Sequence, residues 1–144
     1  MNPQYQACAG YNQSPINIER VISAELAALH FNYKTSASNI VQLPHTVQIN
    51  FHQGSYLSLE GERLRLLQMH LSPSENMIKG KSFPMELHLV HASEKGELAV
   101  VAVMYEAGKK NLTLERLWQQ RQSKKGLSLR ANEFFTRDTW LLSF

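Results

Sequence analysis

Two segments of the chain each place a histidine two residues after a polar side chain that carries an oxygen acceptor. Gln68 precedes His70 in one segment, and Glu86 precedes His88 in the other. Side chains two apart in a β-strand point to the same face, so each acceptor can hold its neighbouring ring in one tautomer and orientation. If the two strands are neighbours in a sheet, His70 and His88 can converge on one ion, and imidazole is a common zinc ligand. Two hydrogen-bonded structural histidines would show the same spacing, so both interpretations stay open on the pattern alone.

The remaining histidines fit a shared metal site less well. His91 is three residues after His88 and therefore points to the opposite face of the same strand. His30 and His52 lie at the ends of predicted elements, where a solvated surface position is the default. The sequence contains no glycine-rich phosphate loop, no serine nucleophile elbow and no cysteine–histidine dyad.

The elements that must position these side chains are mainly short strands. Alternating apolar and polar residues, or a short apolar run, predict each strand. Helical spacing of apolar residues predicts short helices over residues 19–29 and 112–122, and the small polar residues 35–39 predict a turn. Strands are predicted at residues 16–18, 31–34, 46–51, 55–59, 64–71, 85–91, 97–105 and 127–129. We therefore expect a mainly β protein that forms a single domain over residues 1–144.

The composition excludes several classes of protein. With 43% hydrophobic and 19% charged residues, the chain is globular rather than disordered. A net charge of +3 without clustered Lys and Arg residues argues against a nucleic-acid partner. The sequence has no apolar run of about 20 residues, so we expect no membrane span. The first ten residues lack the basic start and apolar run of a secretory signal, so as written we expect a cytoplasmic protein.

Five segments of the chain match, in order and in spacing, motifs that occur together in one known family. They are NQSPINI at residues 12–18, PHTVQINF at 44–51, LQMH at 67–70, SPSEN at 72–76 and GKSFPMELHLVH at 80–91. These segments resemble QSPINI, GHTVQVNF, the first half of LxQFHFH, SPSEH and GxxYPLELHLVH of the α-class carbonic anhydrases. The resemblance is closest to the bacterial branch and covers about residues 5–135.

The resemblance implies a fold, a reaction and a cofactor. The family fold is a twisted, mostly antiparallel central sheet with a few short helices. The family reaction is the reversible, zinc-dependent hydration of carbon dioxide to bicarbonate and a proton, which classes the enzyme as a lyase. The family holds zinc with three histidines, an H-x-H pair on one strand and a third on the next strand. His70 matches the first of these ligands and His88 matches the third.

Four further residues match family positions near the metal. Gln68 and Glu86 match the residues that orient the first and third ligands. His45 matches the histidine that shuttles protons between the zinc site and solvent. Glu75 matches a buried glutamate that hydrogen-bonds a gatekeeper threonine.

The chain also departs from the family pattern. The second ligand has no counterpart, because Ser72 stands two residues after His70 and a hydroxyl is a poor zinc ligand beside imidazole. The chain ends at Phe144, before the family's GSLTTPPC segment with its gatekeeper threonine, so C-terminal strands of the family sheet are expected to be missing. Cys8 matches an N-terminal cysteine whose usual partner lies in that segment. The complete bacterial relatives are typically periplasmic or secreted.

Two functional hypotheses from different classes follow. The first is a carbonic anhydrase acting on carbon dioxide and bicarbonate, with activity that is weak or lost because one ligand and the gatekeeper segment are missing. The second is a non-catalytic remnant or binding protein of the same fold. In either case an exposed sheet edge would favour a homodimer.

Overall fold

The computed structural model describes residues 13–34, 37–120 and 141–143, the last three and residue 120 by backbone only. Within these ranges lie ten strands and one helix. In chain order they are β1 (Asn17–Ile18), β2 (His30–Asn32), β3 (Ala37–Gln42), β4 (Val47–Phe51), β5 (Tyr56–Leu59), β6 (Glu62–Ser72), β7 (Met77–Ile78), β8 (Met85–Ala92), β9 (Leu98–Tyr105), α1 (Leu112–Gln120) and β10 (Leu141–Ser143).

Eight of these strands form one sheet in which every pairing is antiparallel. The main order is β10-β9-β8-β6-β4-β3, and β5 pairs with both β2 and β6 beside this path. The two-residue strands β1 and β7 pair in parallel as a separate small sheet. The predicted mainly β, mostly antiparallel class is therefore confirmed.

The central strands present one apolar and one polar face. Alternate side chains pack into the hydrophobic core, with the alternation on β6 reversed by a register shift between Leu66 and Gln68. Each fully buried large aliphatic side chain there contributes roughly 1.5–3 kcal/mol to stability. The core includes Ile49, Leu57, Leu66, Met69, Leu87, Leu89 and Val101. The other face carries four polar side chains, Gln68, His70, Glu86 and His88. The candidate site thus rests on strands whose reverse face is anchored in the core.

The helix predicted over residues 112–122 is confirmed as α1. Its first turn is capped by the Asn111 side chain, whose Oδ1 accepts hydrogen bonds from the backbone N–H groups of Thr113 (3.0 Å) and Leu114 (3.1 Å). Leu117 is buried in the core, and Leu114 packs against it. Among the described residues no helix has the length and apolar character needed to cross a membrane.

Two of the predicted elements are wrong. The described chain has no helix over residues 19–29, where Val21, Ile22 and Leu26 are 84%, 93% and 82% exposed. A helix of eleven residues is marginal unless its apolar face packs on the protein, and these side chains do not. The turn predicted at residues 35–39 is replaced in part by β3, because β4 supplies a hydrogen-bonding partner for its polar residues. The strand predicted at residues 127–129 lies outside the described residues.

Candidate metal centre

His70 and His88 are direct cross-strand neighbours. The register of the antiparallel pair β6–β8 places His70 opposite His88. The His70 Nε2 and His88 Nδ1 atoms are 3.1 Å apart, and the rings meet edge to face with centroids 5.0 Å apart. His88 is buried and His70 is half-buried. The fold therefore brings together two imidazoles that are 18 residues apart in the chain.

The outer nitrogen of each ring is held by the residue two positions earlier. Nδ1 of His70 lies 3.1 Å from Oε1 of Gln68, and Nε2 of His88 lies 2.8 Å from Oε1 of Glu86. Both oxygens are acceptors, so each ring donates an N–H outward. Burial, together with the charge of His88, lowers the pKa of His70, while the charge of Glu75 acts in the opposite direction. A neutral His70 that donates from Nδ1 to Gln68 keeps a lone pair on Nε2, and that lone pair faces His88.

The spacing of the two facing nitrogens suits a tetrahedral metal ion. At a zinc–nitrogen distance of about 2.0–2.1 Å, two ligands of a tetrahedral ion are about 3.3 Å apart. The observed separation between His70 Nε2 and His88 Nδ1 is 3.1 Å. The other nitrogen of each ring donates an orienting hydrogen bond to Gln68 or Glu86, as in metal sites with imidazole ligands. The pair therefore fits two of the positions around one zinc ion.

Glu86 is the most heavily hydrogen-bonded side chain of the site. It is fully buried, and its Oε2 accepts from the backbone N–H groups of Glu75 (2.9 Å) and Asn76 (3.0 Å). Its Oε1 accepts from Nδ2 of Asn76 and from His88. Burial alone would raise the pKa of Glu86, but the hydrogen bonds from Asn76, His88 and Glu75 outweigh burial and lower it. The carboxylate therefore stays ionised and holds the His88 ring in place.

Ser72 lies where the resemblance would place a further ligand. It follows His70 by two residues on β6 and pairs with Glu86 across the β6–β8 ladder. Its Oγ is buried and has no hydrogen-bond partner in the described part of the chain. Within residues 13–34, 37–120 and 141–143, no group of three or more His, Cys, Asp or Glu side chains could hold a metal. The described centre is thus a two-histidine site.

The other two candidate residues lie at the edge of this cluster. His45 is exposed in the turn between β3 and β4, where it lines a 400 Å³ groove together with Ser72 and Trp118. The Glu75 side chain is exposed rather than buried, and Glu75 contributes to the site through its backbone N–H and its charge. The structure therefore brings Gln68, His70, Glu86 and His88 into one cluster and leaves His45 apart from it.

Sequence reasoning missed one residue of the site. Asn76 is 2% exposed and binds Glu86 through both its backbone and its side chain. The available signal was weak, since Asn76 only closes the SPSEN segment, where the resembling family motif has a histidine. The opposite-face position of His91 was predicted, but its burial beside Tyr33 was not.

Comparison with known proteins identifies the family. A family model described as eukaryotic-type carbonic anhydrase matches residues 2–138. The chain belongs to the α-class carbonic anhydrases. A carbonic anhydrase from Neisseria gonorrhoeae is 39% identical over 144 residues, which cover 98% of this chain and 57% of that protein. One from Pectobacterium atrosepticum is 38% identical over 122 residues, which cover 83% of this chain and 50% of that protein.

Solved carbonic anhydrases share the fold of this chain. The α-carbonic anhydrase of Photobacterium profundum superimposes with a TM-score of 0.83 at 40% identity, covering 94% of this chain and 66% of that one. A hyperthermostable carbonic anhydrase from a hydrothermal vent chimney gives a TM-score of 0.84 at 36% identity, covering 96% and 65%. This carbonic anhydrase chain spans about half the length of the curated relatives it matches. The resemblance to the bacterial branch of the family is confirmed.

Proposed function

We propose that this chain is a carbonic anhydrase family protein with a two-histidine zinc site and with weak or no capacity to hydrate carbon dioxide. The observation that supports a metal site is the 3.1 Å separation of His70 Nε2 and His88 Nδ1, each on a ring oriented through its other nitrogen. Membership of the carbonic anhydrases supports zinc as the metal and carbon dioxide and bicarbonate as substrate and product.

Each residue of the site has a distinct task in this proposal. Bound zinc supplies Lewis acidity, which makes water a nucleophile near neutral pH. His70 and His88 hold the ion, while Gln68 and Glu86 keep their rings from rotating. The exposed position of His45 suits it to pass protons to solvent, provided that water connects it to the metal site.

The small number of ligands supports weak activity. A catalytic zinc usually has three protein ligands and one open position. The described residues offer two imidazoles, and the hydroxyl of Ser72 is a poor substitute for a third. Zinc bound by two imidazoles dissociates more readily, so at a given zinc concentration a smaller fraction of the protein is loaded.

A non-catalytic function is the second candidate, and one observation favours it. One additional proton held between His70 Nε2 and His88 Nδ1 would hydrogen-bond the row Gln68–His70–His88–Glu86 from end to end without a metal. In that protonated form the site would be satisfied as a structural network without an ion. A related binding protein would keep this network and lack the reaction.

Zinc binding and carbon dioxide hydration separate the two candidates. The chain is purified, its zinc content is measured, and hydration is followed by stopped flow with and without added zinc. We expect weak zinc binding that His88→Ala abolishes and that a matched exposed variant, His30→Ala, leaves intact. Stoichiometric, tightly bound zinc together with fast, sulfonamide-sensitive hydration of carbon dioxide would overturn the proposal of weak activity. Absence of zinc binding would favour the non-catalytic candidate. The predicted homodimer is tested separately by analytical ultracentrifugation. Strands β3 and β10 are the two ends of the main strand order, and a second copy of the chain could pair with such an end strand.

A further inference from the structure

We infer that Asn76 is a positioning residue that couples Ile16, which directly precedes strand β1, to His88 through Glu86. The inference rests on the proposed metal site, because it assigns Asn76 an effect on metal affinity. Asn76 lies in the loop between β6 and β7 and touches neither His70 nor His88 in any described hydrogen bond. Its effect on the metal ligand would therefore be exerted through the carboxylate of Glu86.

The Asn76 side chain bridges two parts of the chain that are far apart in sequence. Its Oδ1 accepts a hydrogen bond from the backbone N–H of Ile16 at 3.0 Å. Its Nδ2 donates to Oε1 of Glu86, the same oxygen that binds Nε2 of His88. Three consecutive hydrogen bonds thus run from Ile16 through Asn76 and Glu86 to His88.

The chemistry of these partners allows only one orientation of the amide. Ile16 offers an N–H and needs an acceptor, whereas the Glu86 carboxylate needs a donor. Rotating the Asn76 amide by half a turn would set oxygen against carboxylate and NH₂ against N–H. Because Asn76 is 2% exposed, water is not available to relieve such a mismatch. A residue at this position must therefore carry an acceptor and a donor on opposite sides.

Strand β1 is hydrogen-bonded to β7, which directly follows Asn76 in the chain. The position of this strand pair can therefore affect the Asn76 side chain and, through it, Glu86. The backbone N–H of Met77 donates to the carbonyl of Ile16 at 3.0 Å, and that of Lys79 donates to the carbonyl of Ile18 at 2.9 Å. When Ile16 is ordered, its N–H fixes the orientation of the Asn76 side-chain amide. The amide in turn fixes Oε1 of Glu86 at hydrogen-bonding distance from Nε2 of His88. Coupling between two sites is reciprocal, so metal binding at His88 should also protect the Ile16 amide.

Variants of Asn76 test the effect on the metal. We expect Asn76→Ala to weaken zinc binding about 10- to 100-fold, the usual cost of losing a residue that supports a metal ligand. Asn76→Asp should weaken it at least as much, because it sets a second carboxylate against Glu86. Asn76→His should restore most of the affinity, since a neutral imidazole also has one donor and one acceptor. Asn17→Ala is the matched control, because it removes a different hydrogen bond of the same strand pair, from the Gly80 N–H to Asn17 Oδ1.

Affinities are measured by chelator competition on protein whose circular dichroism shows it to be folded. Equal losses of affinity in Asn76→Ala and Asn17→Ala, or no rescue by Asn76→His, would reduce Asn76 to a general structural role and overturn the inference.

A second measurement needs no metal and so separates this inference from the proposed function. In zinc-free protein, hydrogen exchange of the Ile16 amide is compared between the wild type and Glu86→Gln. We expect exchange at Ile16 to accelerate several-fold, while the Lys79 amide, which lies outside the hydrogen-bonded row, keeps its rate. An equal change in exchange rate at the Ile16 and Lys79 amides, or no change at Ile16, would overturn the proposed coupling between Ile16 and Glu86. A wild type that binds no zinc would defeat the proposed function, and this exchange experiment would then decide the role of Asn76.

Discussion

The hydroxyl of Tyr33 donates a hydrogen bond to Nε2 of His91 inside the core, at 2.7 Å, on the face of the sheet opposite His70 and His88. The rings are nearly parallel, and Nδ1 of His91 lies 3.3 Å from the carbonyl oxygen of Ala99. His91 is completely buried, and burial lowers its pKa to about 4. Burial also raises the pKa of Tyr33 far above its usual range. Both groups are therefore neutral at physiological pH.

This buried histidine should make the protein sensitive to mild acid. His91 has a pKa of about 4 in the folded chain and 6.5 ordinarily, so between these values the unfolded chain binds a proton that the folded chain does not. Its contribution to stability is complete above pH 6.5 and falls by about 3 kcal/mol as the pH drops to 4. Urea unfolding at a series of pH values measures this loss. His91→Gln should flatten the curve in that window, whereas an unchanged curve would contradict the assignment to His91.

Removing the Tyr33 hydroxyl should cost stability out of proportion to its size. Tyr33→Phe leaves Nε2 of His91 without a donor in the core, and an unsatisfied buried polar group costs about 1–3 kcal/mol. Tyr56→Phe is the matched control, because its hydroxyl accepts a bond from Asn32 in a partly exposed position. Chemical denaturation should show a clearly larger loss for Tyr33→Phe. Equal losses of unfolding free energy would mean that the buried Tyr33–His91 hydrogen bond contributes no more to stability than the partly exposed Asn32–Tyr56 hydrogen bond.

Adding an imidazole at Ser72 should strengthen metal binding. Ser72 follows His70 on the same strand face, and its Oγ makes no hydrogen bond within the described chain that substitution would break. Ser72→His adds a third nitrogen ligand, and we expect zinc affinity to rise at least tenfold, with the absorption spectrum of tetrahedral cobalt appearing on Co²⁺ addition. Ser72→Ala is the control and should leave affinity unchanged. A loss of affinity in Ser72→Ala would mean that the hydroxyl itself supports the ion.

The two orienting residues should differ in their effect on metal affinity. Gln68→Ala removes a neutral acceptor from a half-buried ring, whereas Glu86→Gln replaces a fully buried carboxylate that anchors His88 and the Asn76 loop. Both variants should weaken zinc binding, with Glu86→Gln costing more, up to about 100-fold. Isothermal titration with zinc gives the comparison. The reverse order would indicate that His70, rather than His88, is the better-held ligand.

Local pattern was sufficient to predict the central strands and the face that carries the site. Alternation within residues 85–91 places Glu86 and His88 on one face and His91 on the other, because strand geometry repeats every two residues whatever the rest of the chain does. The same local reasoning failed over residues 19–29. The decision between helix and loop there depended on whether Val21, Ile22 and Leu26 find a surface to cover, and the sequence does not contain that information.

The sequence by itself determined the family, through motifs whose order and spacing it displays directly, and it determined which side chains pair two apart on a strand. Only the tertiary structure decided that β6 and β8 pair in the register that sets His70 Nε2 3.1 Å from His88 Nδ1. It also decided that Asn76 joins Ile16 to Glu86, residues 70 positions apart in the chain. Such contacts depend on long-range strand pairing and on burial, which arise from the packing of the whole sheet and leave no local signal in sequence.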